Sequence, residues 1–145
     1  MFKKILAPID GSEAAWNALD AARQLAEKFS GELVVLTVAV PYNSVSLLQV
    51  ALDQSIMKKN DEEMEKAGKA FLDEAKNRLA DFKGKVSYVE ETGDAAEVIL
   101  EEVEDCKADS IVIGSRGLSG IEEFLLGSVS SKVSQFAKVP VFVIK

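Results

Sequence analysis

Histidine is absent from the 145-residue chain, and cysteine occurs once, at Cys106. The first absence excludes a Ser-His-Asp or Cys-His catalytic set within the chain and makes a structural zinc site a poor expectation. The second excludes an internal disulfide, which fits a reducing compartment. No apolar run approaches the ~20 residues that a membrane-crossing helix needs. The opening Met1-Phe-Lys-Lys-Ile-Leu-Ala-Pro8 has no signal-peptide pattern, so the expected location is the cytoplasm, with no membrane partner. Basic excess is lacking too: 17 Lys and Arg against 24 Asp and Glu give a formal net charge of −7. That balance argues against nucleic-acid binding through a broad basic surface. Two phosphate motifs are missing as well. Gly84-Lys85 is followed by Val86, which rules out a Walker P-loop, and no G-x-G-x-x-G occurs.

What is present is an ordinary globular composition, 48% hydrophobic and 28% charged, and the length suits a single domain over residues 1–145. Lys4–Ile9 reads as a first strand buried on both faces, with Pro8 near its end. Ser12 is placed to cap a helix to about Ser30, with Ala15, Ala18, Leu19, Ala22, Leu25, Ala26 and Phe29 on one arc and Gly31 as its stop. Leu33–Val40 is a second buried strand. Residues 42–60 read as a loop running into a helix, and Met64, Ala67, Phe71, Ala75, Leu79 and Phe82 form a stripe on a helix from about Asn60 to Phe82. Lys85–Glu90 is a short third strand near a sheet edge. Asp94 with Glu97 resembles a capping box opening a helix to about Lys107, in which Cys106 is expected as a buried, unreactive thiol. A fourth strand at Asp109–Ile113, a short helical turn at Ile121–Leu126, a helix capped by Ser128 and a fifth strand at Val139–Ile144 complete the chain. This alternation predicts an α/β fold: an open five-stranded parallel sheet of order 3-2-1-4-5 with four helices on both faces.

In such a sheet, ligands lie outside the carboxyl ends of the strands where the order reverses, here between strands one and four. Asp10 follows the first and Gly114 the fourth. Gly114, Gly117, Gly127 and Ser128 have two readings: turns that need glycine, or a phosphate cradle in which glycine admits an anion to a helix start. Asp10 either complements the dipole of the following helix, or hydrogen-bonds a ribose hydroxyl or holds a metal ion indirectly. Arg116 is a phosphate contact or a solvated arginine; Ser130 and Ser131 are first-turn contacts or surface serines.

Gly114-x-x-Gly117-x9-Gly127-Ser128 resembles the ATP-binding signature of the universal stress protein family. Lys4–Ser12, Gly93–Ile99, Ala108–Gly114 and Lys138–Lys145 are similar to other parts of that family, so the resemblance runs through nearly the whole chain. It implies an adenine nucleotide alpha hydrolase-like three-layer sandwich that binds ATP with Mg2+. Adenine and ribose would lie near Pro8, Asp10 and Val38, and the phosphates on Gly114, Ser115, Arg116, Gly117, Gly127, Ser128, Val129 and Ser130. Arg116 stands where the family commonly has histidine, and Leu118 and Gly120 where it is often polar. The resemblance also implies a homodimer through the last strand, where Val141, Phe142, Val143 and Ile144 would leave an apolar sheet edge in need of a partner. The expected function is a cytosolic ATP-binding regulator of stress response. The alternatives are a slow Mg-dependent ATPase or phosphotransferase using Asp10, and a nucleotide-free dimeric scaffold. Hydrolysis is the less favoured, since no group is obviously aimed at a γ-phosphate.

Overall fold

The structure is a computed structural model that describes residues 1–41, 54–116 and 126–145. Five strands and four helices alternate along the described chain. They are β1 (Lys4–Ile9), α1 (Glu13–Phe29), β2 (Glu32–Ala39), α2 (Gln54–Arg78), β3 (Val86–Thr92), α3 (Ala95–Cys106), β4 (Ser110–Gly114), α4 (Ser128–Phe136) and β5 (Val141–Ile144). The sheet order is β3-β2-β1-β4-β5, with every pairing parallel, as the alternation predicts.

The period-two alternation of the strands splits the core into two layers. Ile5, Ala7, Ile9, Leu33, Val35 and Val112 pack with α1 and α2 on one face. Leu6, Val34, Leu36, Ile111 and Ile113 pack with α3 and α4 on the other. Proline in a central strand is ordinarily disfavoured because it withholds a ladder donor. Here the β1–β4 pairing covers Ile5 and Leu6 and ends before Pro8, so the missing N–H falls where that ladder has already stopped.

Ser12 caps α1 by accepting the Ala15 N–H at 3.2 Å. The helix then buries a face made mostly of alanine: Ala15, Ala18, Leu19, Ala22 and Ala26. Its left-handed stop is Ser30 (φ 53°), not Gly31. Gly31 is small for another reason, since a Cβ there would collide with the Phe2 carbonyl oxygen. Phe29, placed on the apolar arc by spacing, is 41% exposed and tilts its ring against Phe2 at 5.0 Å.

The second helix begins at Gln54, earlier than the spacing predicts, and stops at Arg78. From residue 62 onward its buried positions are Gly68, Leu72 and Ala75, continued by Leu79 beyond the helix end, whereas Met64 and Ala67 are exposed. The predicted stripe is therefore rotated in its first half. Gly68 explains the difference, because a Cβ there would stand 3.1 Å from a Glu90 carboxylate oxygen and 3.4 Å from the Thr37 methyl. Residues 42–53, and residues 121–125 of the turn expected over Ile121–Leu126, lie outside the described residues. Asp94 caps α3 through the Glu97 N–H at 3.1 Å. The Glu97 carboxylate does not return the bond; it stands 3.6 Å from Lys132 on α4. Burial pushes the half-buried Cys106 thiol up, which keeps it protonated.

Candidate functional site

At the carboxyl ends of β1, β2 and β4 the strands open into a cleft of about 350 Å³. Its inner wall is apolar: Pro8, Leu36, Val38 and Val40 from the β1 and β2 side, Ala95 and Ile99 from α3, and Ile113 from β4. Its rim is polar, with Asp10, Ser12, Arg116, Ser128 and Ser130. The volume lies within the ~300–1,000 Å³ usual for small-molecule sites, and an apolar interior with a few convergent polar groups is their usual chemistry.

Asp10 is fixed by an Asx-type bond, its carboxylate accepting the Ser12 N–H at 2.9 Å. Ser12 both caps α1 and reaches across the crevice, where its hydroxyl donates to the Arg116 carbonyl at 3.4 Å. The start of α1 is thereby tied to the chain leaving β4. Gly114 lies where that chain passes closest to α1: a Cβ would stand 2.8 Å from the Ala14 carbonyl carbon and from the Ala15 nitrogen. Its φ is not positive, so close packing explains the glycine and turn geometry does not.

Ser115 is the junction of the site. Its N–H donates to the Ile144 carbonyl at 2.7 Å, and its carbonyl accepts the Gly127 N–H at 2.7 Å and the Ser130 hydroxyl at 2.9 Å. Ser115 is thus buried behind the cleft and does not line it. The N–H of Gly127 is spent on this junction, and the Ser130 hydroxyl also reaches the Gly127 carbonyl at 3.1 Å.

The N-cap of α4 is Gly127, in extended geometry (φ −60°, ψ 160°), and Ser128, expected as the cap, is the first helical residue, so the helix starts one position earlier than the sequence suggested. Glycine has no side chain to cap with, so α4 carries no side-chain cap bond, whereas α1 and α3 are capped by Ser12 and Asp94. The first intrahelical bond of α4 runs from the Ser131 N–H to the Gly127 carbonyl at 2.9 Å. The amides of Ser128, Val129 and Ser130 precede it and are not used by the helix ladder. All three residues line the cleft, and the positive end of the helix dipole lies there.

Of the residues singled out from sequence, the structure brings Pro8, Asp10, Val38, Gly114, Arg116, Gly127, Ser128, Val129 and Ser130 to one cleft. Gly117 lies outside the described residues. Sequence reasoning missed the wall formed by Leu36, Val40, Ala95, Ile99 and Ile113. The pair Ala95 and Ile99 carried a signal: two apolar residues four apart, directly after the cap Asp94, on a helix that starts at the carboxyl end of β3. Among the described residues no group of three His, Cys, Asp or Glu is arranged to hold a metal ion, and no helix is long and apolar enough to cross a membrane.

The universal stress protein family model matches residues 1–145. Universal stress protein YxiE of Bacillus subtilis is 36% identical over 148 residues, covering 100% of both chains. Universal stress protein MJ0577 of Methanocaldococcus jannaschii is 32% identical over 156 residues, covering 100% of this chain and 96% of that one. Its solved structure aligns with a TM-score of 0.86 at 30% identity, again over 100% and 96% of the two chains. A universal stress protein solved in complex with cAMP aligns with a TM-score of 0.73 at 26% identity, over 99% of this chain and 97% of that one. With the whole chain matched and the sheet order shared, this protein belongs to the universal stress protein family.

Proposed function

We propose that the cleft binds ATP with Mg2+, and that the protein is a cytosolic, homodimeric regulator of stress response whose state follows nucleotide occupancy. The observation that carries this reading is the uncapped start of α4, whose first three residues, with amides outside the helix ladder, line a cleft with an apolar interior. The apolar wall suits a purine ring, the Asp10 carboxylate suits a ribose hydroxyl, and the amides of Ser128, Val129 and Ser130 suit phosphate oxygens. Arg116, on the same rim, adds a cation toward those oxygens. The cAMP complex of a relative supports an adenine nucleotide as the ligand class. Among the described residues Asp10 is the one carboxylate on the cleft, so Mg2+ would be held chiefly by phosphates and water, the common arrangement for this ion.

The dimer would form along β5. That strand is the last in the sheet order, and Val141, Phe142, Val143 and Ile144 are each only partly buried in the single chain. An open apolar edge of this kind is satisfied by a second copy.

Titration calorimetry with Mg-ATP tests the site, comparing the unaltered chain with Ala95→Phe, which fills the apolar end of the cleft from the half-buried first residue of α3. Binding by the first and at least about tenfold weaker binding by the second are expected. Equal heats would overturn the assignment of the cleft. Phosphate release measured on the same samples separates a regulator from a slow ATPase.

A further inference from the structure

We propose that a second groove, between the C-terminal ends of α3 and α4, docks a basic amphipathic helix of a partner protein. This groove measures about 460 Å³. Its floor is Leu100, Val103 and Ala137, and the Phe136 ring stands at its edge, 58% exposed. Helices of a parallel sheet run opposite to the strands, so the groove lies at the far end of the sheet from the cleft. Occupation of one leaves the other open.

The rim decides the sign of the occupant. Glu101, Glu104 and Asp105 surround the apolar floor, and the one base lining the groove, Lys138, is held by Glu104 at 3.0 Å. From Ala95 to Lys107 the chain carries five carboxylates against a single lysine, and the last turn of α3 has no base. Acids at a helix C-terminus oppose the helix dipole, whose negative end lies there. The fold itself gains nothing from Glu104 and Asp105 at that position beyond the exposed pair with Lys138, which contributes little. Cations arriving from outside would face both the carboxylates and the dipole end. A second copy of this chain is a poor occupant, because its net charge of −7 sets acid against acid. Lysines and arginines on a partner helix would reach the rim while apolar side chains at i, i+3 or i+4 and i+7 enter between Leu100 and Phe136.

The test is a titration of the isotope-labelled full chain, followed by amide NMR. The probe is a synthetic amphipathic helix of about 18 residues with leucine on one face and lysine and arginine elsewhere. A peptide of the same composition in scrambled order is the charge-only control. Shifts centred on Leu100, Glu101, Val103, Phe136 and Ala137 are expected, with the scrambled peptide at least about tenfold weaker. Phe136→Ser and, separately, Asp105→Lys change exposed side chains and should each weaken binding by a similar factor. Three results would overturn the proposal: equal binding of the scrambled peptide, shifts centred on β5 or the cleft, or groove shifts that appear on raising protein concentration without peptide.

Discussion

Gly114→Ala separates two reasons for a glycine at the end of β4. In the packing account, the new Cβ meets the Ala14 carbonyl carbon and the Ala15 nitrogen at 2.8 Å and the Ala14 oxygen at 3.0 Å. Carbon contacts are comfortable near ~3.5–4.0 Å, so the overlap is roughly 0.7 Å. The obstacle is main chain in the first turn of α1, which cannot swing aside as a side chain would. That turn is held by the Ser12 cap and by Ala15, Ala18 and Leu19 in the core, so strand and helix must part. Overpacking of this kind costs about 2–3 kcal/mol. For a chain of this length the unfolding entropy is ~0.3 kcal/mol/K, and the midpoint should fall by about 7–10 °C. Urea unfolding of nucleotide-free protein checks the value, with a midpoint lower by about 1–2 M and an unchanged slope. In the alternative account, the glycine serves only to admit a phosphate, and the nucleotide-free chain should tolerate alanine. A loss below about 0.5 kcal/mol in the absence of nucleotide would refute the packing argument.

Ser130→Ala removes the hydroxyl bonds to the Ser115 and Gly127 carbonyls but leaves Ser115 accepting the Gly127 N–H. Thermal unfolding should therefore show a loss of about 1 kcal/mol, while the Ser130 amide remains available to an anion. Gly127→Asp supplies α4 with the cap it lacks at a backbone geometry that any residue adopts. The free chain should gain about a few tenths of a kcal/mol in urea unfolding, since glycine is itself a tolerable cap, and ATP binding should weaken in calorimetry because the carboxylate takes the place of a phosphate. At Asp109, burial pulls the carboxyl up, but the Lys3 N–H and the Ser110 hydroxyl outweigh it and hold the group below its usual range. Its contribution to stability is thus present above the ordinary aspartate value and is lost as pH falls through the lowered one. Asp109→Asn should flatten that part of an acid-unfolding profile and leave neutral-pH cooperativity unchanged.

The sheet order and the two helical layers were legible because strand and helix periods alternate cleanly and a parallel sheet restricts the connections. The polar half of the cleft was legible for the same reason: Asp10 and Gly114 follow strands on either side of the order reversal. Its apolar half was less so: Ala95 and Ile99 carried a signal after their cap, but Leu36 and Ile113 have the spacing of ordinary core and nothing local tells a wall from an interior. Gly68 was missed because glycine in a helix reads as a weak point. Only the neighbouring Glu90 and Thr37 show it to be a contact. The cap of α4 was misplaced by one residue because serine is the stronger capper, and the bond from Gly127 to Ser115 that fixes the helix start joins residues twelve apart.

That same bond has a bearing on how this site tolerates change. Ser115 and Gly127, twelve residues apart in sequence, are joined at 2.7 Å, and the Ser130 hydroxyl adds a second bond to the same carbonyl. The start of α4 is thus placed by β4 directly, through the Gly127 N–H and the Ser130 hydroxyl on one carbonyl. The chain leaving β4 and the chain entering α4 therefore move as one body, so a displacement at Ser115 carries Ser128, Val129 and Ser130 with it and reshapes the rim of the cleft at a distance from the side chain that was changed.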